Sequence, residues 1–453
     1  MAPPAEATET PAVTRLLAAR AASLAFSDIP DAARRVAKQC LLDWVGVALG
    51  GRDADLVGML RADADAEGQG GDCTIIGQAE RRPAYQAALI NGAMGHALDY
   101  DDVIFMGHPT APVAPAVLAV AERAGASGRD VLTAFIAGFE AECCVGRYVG
   151  GSHYAKGWHS TATLGTFGAA AAAGRLLGLT PELMQHALGL AATQAAGLKS
   201  MFGSMTKPFH AGHAAECGMR AARLARIGFT ANPNAVESPQ GFGDTQSLSV
   251  DAEAALASPP GGYHVVDTLF KYHAACYLTH SAIEAAGSLR AVIANDPDAV
   301  EHAVIRVDPG HLSVCNIEAP ETGLATKFSL RMTVALALSG EDTSDGRLFT
   351  DATAVRPDLV ALRRRIAVEP TARGTRSEVL LLLRDGRSLQ AYADVAVPMR
   401  DLGAQQVKLD RKFMGLAASA LGAARADSIR AMIAQLEEVD DIRALTSLLR
   451  PEF

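Results

Sequence analysis

Apolar residues recur at intervals of three and four along most of the first half of the chain, a spacing that predicts helices. Segment 31–51, DAARRVAKQCLLDWVGVALGG, follows this pattern and ends on a glycine pair, which we expect to form the C-terminal cap. Segment 180–197 opens on Thr-Pro-Glu, three residues that favour a helix N-terminus. The alanine- and glycine-rich segment 165–180 predicts helices in close contact, because small side chains let two backbones approach.

Short runs of β-forming residues replace the helical spacing further along the chain, beginning with segment 303–310. In segment 377–397, SEVLLLLRDGRSLQAYADVAV, the dipeptide Asp385-Gly386 separates two apolar runs and predicts a β-hairpin. An apolar helix is predicted over 325–340 between these strands, and the helical spacing returns towards the C-terminus.

These patterns predict a mainly α fold, in which a smaller α+β lid domain is inserted into a large all-helical domain before its last helices. The N-terminal MAPPAEATETPAV has neither the basic region nor the apolar core of a secretory signal, and we expect a disordered tail there. The predicted boundaries are a disordered tail over 1–12, a helical domain over 13–267, the α+β lid over 268–400 and the C-terminal part of the helical domain over 401–453.

The composition argues against several classes of function. The chain has 453 residues, of which 49% are hydrophobic and 20% charged, enough apolar material for two folded domains. Its net charge of −9 and the absence of a long basic run argue against a nucleic-acid partner. The apolar stretches are too short to span a bilayer, and seven cysteines without a CxxC pair indicate reduced thiols. We therefore expect a cytoplasmic protein that binds neither nucleic acid nor a membrane.

The segment NGAMGHALDYDDVIFMGHPTAP carries a first group of candidate residues, namely His96, Asp99, Asp101, Asp102 and His108. His96 and Asp99 are three residues apart and would share one helix face. Mutual repulsion among three neighbouring carboxylates can raise one pKa and leave a general base near neutrality. Alternatively, the aspartates end a helix and hold a loop through backbone hydrogen bonds.

A second group contains His159 in KGWHSTATLGTFG, and a third is the segment MTKPFHAGHAAECG. In the third, Lys207 is expected at a helix N-terminus, where free backbone N–H groups and the ammonium would together bind a carboxylate. His210, His213 and Cys217 have helical spacing, but no second group completes a metal site, and we expect no metal. Packing is the alternative for His159 and His210, and the preferred interpretation for His213.

The fourth group, in FKYHAACYLTHSAIEA, falls at the predicted junction between the two domains. Clefts between domains often bind ligands, so His280 is a candidate for such a cleft. Cys276 and His280 are four residues apart without an orienting carboxylate, which favours a structural role for the thiol over a nucleophile.

The motifs NGAMGHALDYDD, GWHSTATLGTFGAAAA, MTKPFHAGHAA and FKYHAACYLTH occur in this order, and together they resemble the MmgE/PrpD family. That family includes 2-methylcitrate dehydratase, cis-aconitate decarboxylase and iminodisuccinate epimerase. The resemblance implies a helical domain with an α+β lid, a homodimer, a small di- or tricarboxylate substrate and no cofactor. It implies catalytic roles for Asp99, His108, His159 and Lys207. The expected substrate-binding residues are Asp102, His210, Cys276, His280 and Asn316.

Three positions depart from the decarboxylase pattern. Val103 replaces a threonine, Cys276 a histidine and Val314 a tyrosine. The short loop ending in GHPTAPVAP also differs from the longer form of methylcitrate dehydratases and is closer to the epimerase-like branch.

The reaction that the resemblance implies is proton transfer at a carbon next to a carboxylate. Lys207 and its helix terminus, with His108, would bind the carboxylates and stabilise an enediolate-like charge. His159 and Asp99 would be the general base and the general acid, in either order. We expect a lyase of the 2-methylcitrate or citrate dehydratase type. An iminodisuccinate-type epimerase, a cis-aconitate decarboxylase and a carboxylate-binding protein without turnover are the alternatives.

Overall fold

The computed structural model describes residues 12–68, 70–371 and 374–451, and these fall into two compact units. The first unit runs to Thr268 and resumes at Leu409, and the second is Leu269–Lys408. The disordered tail predicted over 1–12 lies outside the described residues except for Ala12.

The first unit is built from helices that pack around one another. Helix α7 contacts α6, α9 and α5, and α4 contacts α9. A short antiparallel pair, β1 with β2, lies between α3 and α4. The elements of this unit are α1 (Val13–Ser23), α2 (Asp31–Gly51), α3 (Asp55–Glu67), β1 (Cys73–Thr74), β2 (Arg81–Arg82), α4 (Ala84–His96), α5 (Thr110–Ala124), α6 (Gly128–Ala155), α7 (Ser160–Leu176), α8 (Pro181–Gln194), α9 (Thr206–Arg226), α10 (Phe242–Gln246) and α11 (Ala252–Leu256).

The central helices approach so closely that glycine is required at their contacts. A Cβ on Gly92 of α4 would lie 2.6 Å from the Cα of Gly212 in α9. A Cβ on Gly218 would lie 2.5 Å from the carbonyl oxygen of Thr166 in α7. This packing confirms the close helix contacts predicted from the small residues of 165–180.

Helix α2 has the predicted span, but the predicted glycine cap is wrong. Gly51 is still helical, and Arg52 follows in a right-handed conformation. A Cβ on Gly51 would lie 2.5 Å from the carbonyl oxygen of Met94, so this glycine lets α2 pack against α4. The start of α8 is as predicted, because Thr180 caps it by accepting the backbone N–H of Leu183 at 3.3 Å.

The second unit contains a four-stranded sheet in the order β4-β3-β5-β6, with α12 against β5 and β6. Strands β3 and β4 are parallel, and the other neighbours are antiparallel. The predicted hairpin is confirmed, since Leu382 pairs with Ser388 and Gly386 has a φ of +85°. The elements are α12 (Tyr277–Arg290), β3 (Val300–Val307), α13 (Pro309–Leu312), α14 (Gly323–Thr326), α15 (Leu330–Ser339), α16 (Asp351–Ala354), α17 (Pro357–Arg363), β4 (Ile366–Pro370), β5 (Ser377–Leu383) and β6 (Ser388–Ala393).

The chain returns to the first unit within α18 (Leu402–Leu421) and ends with α19 (Ala423–Ala434) and α20 (Arg443–Leu448). The observed architecture confirms the predicted mainly α fold with a smaller α+β part. None of the seven cysteines, all of which lie among the described residues, is in a disulfide bond. Among the described residues, no helix combines the length and the apolar character needed to cross a membrane.

Candidate active site

A buried carboxylate, Asp101, lies between two imidazoles. Both oxygens of Asp101 are within 3.0 Å of Nδ1 of His96, and Oδ2 is 3.0 Å from Nδ1 of His108. The His96 contact has hydrogen-bond geometry, whereas the His108 contact has the distance but not the alignment. Asp101 therefore orients the His96 ring through hydrogen bonds and lies close to the His108 ring, and the two ring centroids are 4.6 Å apart.

Asp99 and Lys207 form an ion pair beside these rings. Lys207 Nζ donates to Asp99 Oδ1 at 2.8 Å, and His108 Nε2 lies 3.8 Å from the same oxygen. The Asp99 side chain is 58% exposed, whereas the Lys207 side chain is only 19% exposed. The structure therefore brings Asp99, His108 and Lys207 together.

His96 and Asp99 do not share one helix face, and the expectation from their spacing is wrong. The helix ends at His96, and Asp99 follows with a left-handed φ of +50°. Its backbone N–H donates to the carbonyl of His96 at 3.1 Å. Aspartate tolerates this conformation better than most residues do. The turn separates the two side chains, so His96 faces Asp101 and Asp99 faces Lys207.

Helix α9 begins at Thr206, so Lys207 lies in its first turn as predicted. The expected free N–H groups are absent, however. The N–H of Thr206 donates to the Ser204 hydroxyl at 3.3 Å, and that of Lys207 donates to the Ser204 carbonyl at 3.1 Å. Pro208 has no N–H, and Phe209 already donates to Met205. The ammonium of Lys207, and not the helix terminus, is therefore the available positive group.

A short antiparallel pairing positions His159. Trp158 pairs with Leu198, and the backbone N–H of His159 donates to the Gly197 carbonyl at 3.0 Å. This pairing brings His159 Nδ1 to 3.0 Å from Nδ1 of His210, which lies in the second turn of α9. The ring of His159 is thus fixed between the start of α7 and the start of α9.

His159 and Lys207 share one aromatic neighbour. The rings of His159 and Phe202 meet edge to face with centroids 4.9 Å apart. Lys207 Nζ is 5.9 Å from the centroid of the same Phe202 ring. His96 stacks near His159, with ring centroids 6.1 Å apart. The imidazoles and the ammonium therefore belong to one cluster.

Burial sets the protonation states of this cluster. Burial, followed by the neighbouring His96 and Lys207, lowers the pKa of His159 to about 2. Burial also lowers the pKa of His96 to about 4, although the Asp101 charge opposes that shift. For Asp101 itself burial acts in the opposite direction, but the imidazoles of His96 and His108 outweigh it and hold the pKa well below its usual range. At neutral pH the site thus contains neutral His96 and His159 beside an ionised Asp101.

Asp102 points to a different set of partners than Asp101 does. Its Oδ2 accepts a hydrogen bond from the Thr110 hydroxyl at 2.6 Å, and the residue is fully buried. Burial, followed by the charge of Asp43, raises the pKa of Asp102 to about 8. One carboxyl of this group therefore has a raised pKa, as predicted, but burial contributes more than repulsion from Asp101. The predicted contact of Asp102 with substrate stays a prediction.

An ion pair beneath the loop holds its backbone. Lys412 of α18 lies 2.6 Å from Asp43 of α2, and both side chains are buried. Lys412 also donates to the carbonyl of Tyr100 at 2.6 Å. Because Tyr100 lies between Asp99 and Asp101, this contact fixes the segment that orients both carboxylates.

Donor atoms of His96, Asp99, Asp101 and His108 lie within 4.8 Å of one another, a spacing that a metal ion could use. The present contacts fit a proton-transfer network better. Asp101 is directed at two Nδ1 atoms, and the Lys207 ammonium is bound to Asp99. A cation would have to displace that ammonium.

The remaining predicted residues lie in the second unit. Cys276 precedes α12, and its thiol contacts that of Cys315. His280 is buried, with Nε2 3.1 Å from the Ala275 carbonyl. Asn316 accepts a hydrogen bond from Arg331 at 2.6 Å. Substrate binding by Cys276, His280 and Asn316 stays a prediction.

Two regions of the chain match models of one protein family. The MmgE/PrpD N-terminal domain matches residues 15–254, and the MmgE/PrpD C-terminal domain matches residues 273–438. The chain belongs to the MmgE/PrpD family. The first match contains His96, Asp101 and the other clustered residues of the first unit.

Several proteins named cis-aconitate decarboxylase resemble this MmgE/PrpD chain over nearly their full length. The protein of Aspergillus terreus is 28% identical over 471 residues, which cover 95% of this chain and 94% of that protein. The protein of Homo sapiens is 26% identical, with 97% and 94% covered, and that of Mus musculus is 27% identical, with 97% and 93% covered. Decarboxylases of this kind are lyases, in agreement with the predicted enzyme class.

The sequence reasoning left His96 and Asp101 out of the predicted site. Both had been noted as candidates, but their partners could not be read from spacing. One signal was available: a carboxylate five residues after a histidine, across a helix end, is close enough to bind its ring. The geometry adds both residues to the site of this MmgE/PrpD protein.

Proposed function

We propose that this MmgE/PrpD protein is a lyase that transfers protons at the carbon next to a carboxylate of a small di- or tricarboxylic acid. The observation that carries this proposal is the shared contact of Lys207 and His159 with the Phe202 ring. An ammonium and a neutral imidazole in one cluster supply a carboxylate ligand and a proton acceptor.

Lys207 and His108 bind the substrate carboxylates in this proposal. Lys207 is held by Asp99, which is the most exposed member of the cluster. A substrate carboxylate that enters the site binds the Lys207 ammonium in place of Asp99. Asp99 then lies beside a second negative group without its positive partner. Such a change favours protonation of Asp99, which would let it act as the general acid.

His159 is the general base. It is neutral at working pH because burial disfavours its imidazolium form. A bound di- or tricarboxylate adds negative charge near the ring and makes it more basic, so its basicity appears when substrate is present. As the proton moves, Lys207 stabilises the enediolate charge that develops on the carboxylate.

Elimination of water, as in a 2-methylcitrate or citrate dehydratase, is the first candidate reaction. Decarboxylation of cis-aconitate is the second, and the named relatives favour it because they match nearly the whole chain. The substitutions Val103, Cys276 and Val314 count against the second candidate. Epimerisation would differ from both, because it returns the proton to the opposite face of the same carbon.

An NMR assay in D₂O tests the proposal. The purified full-length protein is incubated separately with 2-methylcitrate, citrate, cis-aconitate and iminodisuccinate. Loss of water or CO₂ from one acid identifies the lyase reaction, and deuterium exchange without net conversion indicates an epimerase. Binding of these acids without exchange or conversion would contradict the proposal and leave a carboxylate-binding protein.

Matched variants assign the roles. Lys207→Ala and His159→Ala are expected to abolish turnover in a folded protein. Lys199→Ala is the control for the first, because Lys199 bonds the Tyr154 carbonyl outside the cluster. His302→Ala, at an exposed position of β3, is the control for the second. Wild-type turnover in either test variant removes that residue from the mechanism. We expect a homodimer, as the family resemblance implies, and a cytoplasmic location, as the scattered cysteines indicate.

A further inference from the structure

The contact between His159 and His210 joins two ring nitrogens of the same kind. The Nδ1 atoms are 3.0 Å apart, and both residues are largely buried, at 3% and 7% exposure. A hydrogen bond between two such nitrogens contains one proton, because one nitrogen must donate and the other must accept. The tautomers of the two rings are therefore coupled.

This coupling determines whether Nε2 of His159 can accept a proton or donate one. When Nδ1 of His159 carries the shared proton, its Nε2 has a free lone pair and can accept a proton. When Nδ1 of His210 carries it, Nε2 of neutral His159 carries a proton and can donate one. Movement of the shared proton thus converts His159 from a base into an acid.

The surroundings favour movement of the proton over charging of His159. Burial of the His159 ring acts against a positive charge there, and so does the neighbouring Lys207 ammonium. Burial also lowers the pKa of His210, but the neighbouring group that adds to this shift is His213, one turn further along α9, and not Lys207. Transfer of the shared proton therefore takes the positive charge away from the ammonium that binds substrate.

The backbone holds the two rings at this distance. Gly197 accepts the N–H of His159, and a Cβ at this glycine would lie 3.4 Å from His210 Nδ1 and collide with Ala162. Phe202 covers another side of the His159 ring. These contacts leave the rings little freedom to separate.

We propose that His210 is the proton relay of His159 and acts through that ring, not by contact with substrate. The substrate C–H proton passes to Nε2 of His159, and the Nδ1 proton of His159 passes to Nδ1 of His210. The electron pair of the C–H bond stays on the substrate as the enediolate. The reverse shift supplies the proton for the second half of the reaction. This role rests on the proposed function and revises the predicted substrate contact of His210.

A spectroscopic test is independent of turnover. Full-length protein labelled with ¹⁵N-histidine is expected to show a spin coupling between two Nδ1 nuclei, transmitted through their shared proton. The coupling should disappear in His210→Asn and persist in His186→Asn, because Nδ1 of His186 faces the Ala231 carbonyl. Two ring nitrogens without mutual coupling in the wild-type protein would overturn the relay.

Kinetics separate a relay from an orienting role. Asparagine at position 210 can accept or donate a hydrogen bond to His159 but cannot pass a proton on, and phenylalanine can do neither. For a relay, His210→Asn and His210→Phe both lower kcat about 10- to 100-fold with little change in KM. Retention of kcat in His210→Asn, or a rise in KM without a fall in kcat, would overturn it. If His159→Ala turns over normally while the wild-type protein shows the nitrogen coupling, the proposed function fails and the relay fails with it, although the hydrogen-bonded pair exists.

Discussion

Replacement of Asp102 by asparagine tests whether the adjacent carboxyls of Asp101 and Asp102 have opposite protonation states. The asparagine side chain keeps the shape of the original and an oxygen that can accept the Thr110 hydroxyl, which is 2.6 Å away in the wild type. Its amide is permanently neutral. If Asp102 already carries a proton in the folded protein, the substitution removes little at low pH and removes a growing penalty as the pH rises.

The magnitude follows from the raised pKa. Asp102 titrates near pH 8 in the folded protein and near its ordinary value of about 3.9 when unfolded. Between these values the folded state binds one more proton than the unfolded state, so the free energy of unfolding falls as pH rises. The loss is about 1.4 kcal/mol per pH unit, or about 3 kcal/mol between pH 5 and pH 7. Relative to wild type, Asp102→Asn should gain that amount over this interval.

Urea unfolding, followed by tryptophan fluorescence, measures the effect in the unit that contains Asp102. Trp44 and Trp158, the two tryptophans of the chain, both belong to that unit. Asp101→Asn is the matched control: the pKa of Asp101 is lowered, so this carboxyl is ionised in both states between pH 5 and pH 7. Its stability difference from wild type should stay constant there. A constant difference for Asp102→Asn would refute the reasoning, and a folded Asp102→Asn protein without turnover would support the predicted substrate contact.

Three further outcomes follow from the site and its packing. Asp101→Asn should lower kcat at least about tenfold, because His96 and His108 lose the carboxylate that orients them, and a normal rate of deuterium exchange would contradict that role. Gly51→Ala should lower the free energy of unfolding by about 1–3 kcal/mol, because the added Cβ collides with the Met94 carbonyl. Gly58→Ala in α3 is the control: this glycine has open space around it, so the change should be neutral or stabilising. Equal effects of the two substitutions in urea titrations would argue against the close packing. Dialysis against a chelator should leave turnover unchanged. If turnover is lost and added Zn²⁺ restores it, the group of His96, Asp99, Asp101 and His108 is a metal site.

Local patterns predicted much of the fold because local chemistry decides it. The Thr-Pro start of α8 and the Asp385-Gly386 hairpin depend on neighbouring residues alone. The prediction for the glycine pair of α2 was wrong because Gly51 packs against the backbone carbonyl of Met94, a residue distant in sequence. The local signals that start α8 and form the hairpin turn can be read from the sequence, whereas a close approach between helices is visible only in three dimensions.

The candidate site was predicted only in part. Residue type and the family resemblance selected Asp99, His108, His159 and Lys207 as candidates, and their catalytic roles stay predictions. They could not tell Asp101 from its neighbour, because the two carboxylates differ only in the direction that the loop gives them. The free helix N-terminus at Lys207 was also wrong, since Ser204, two residues before the helix, takes up the first N–H groups.

The contact of Gly92 with Gly212 has a consequence for how this scaffold can change. Helix α4 ends at His96, and α9 begins beside Lys207, so main chain resting on main chain sets the spacing between an imidazole and an ammonium. This contact between two glycines has no side chain that could adopt another rotamer. One added methyl group would therefore shift α4 relative to α9, and with them His96 relative to Lys207. Substitutions in the loops of the candidate site can therefore change its shape without altering the spacing between His96 and Lys207.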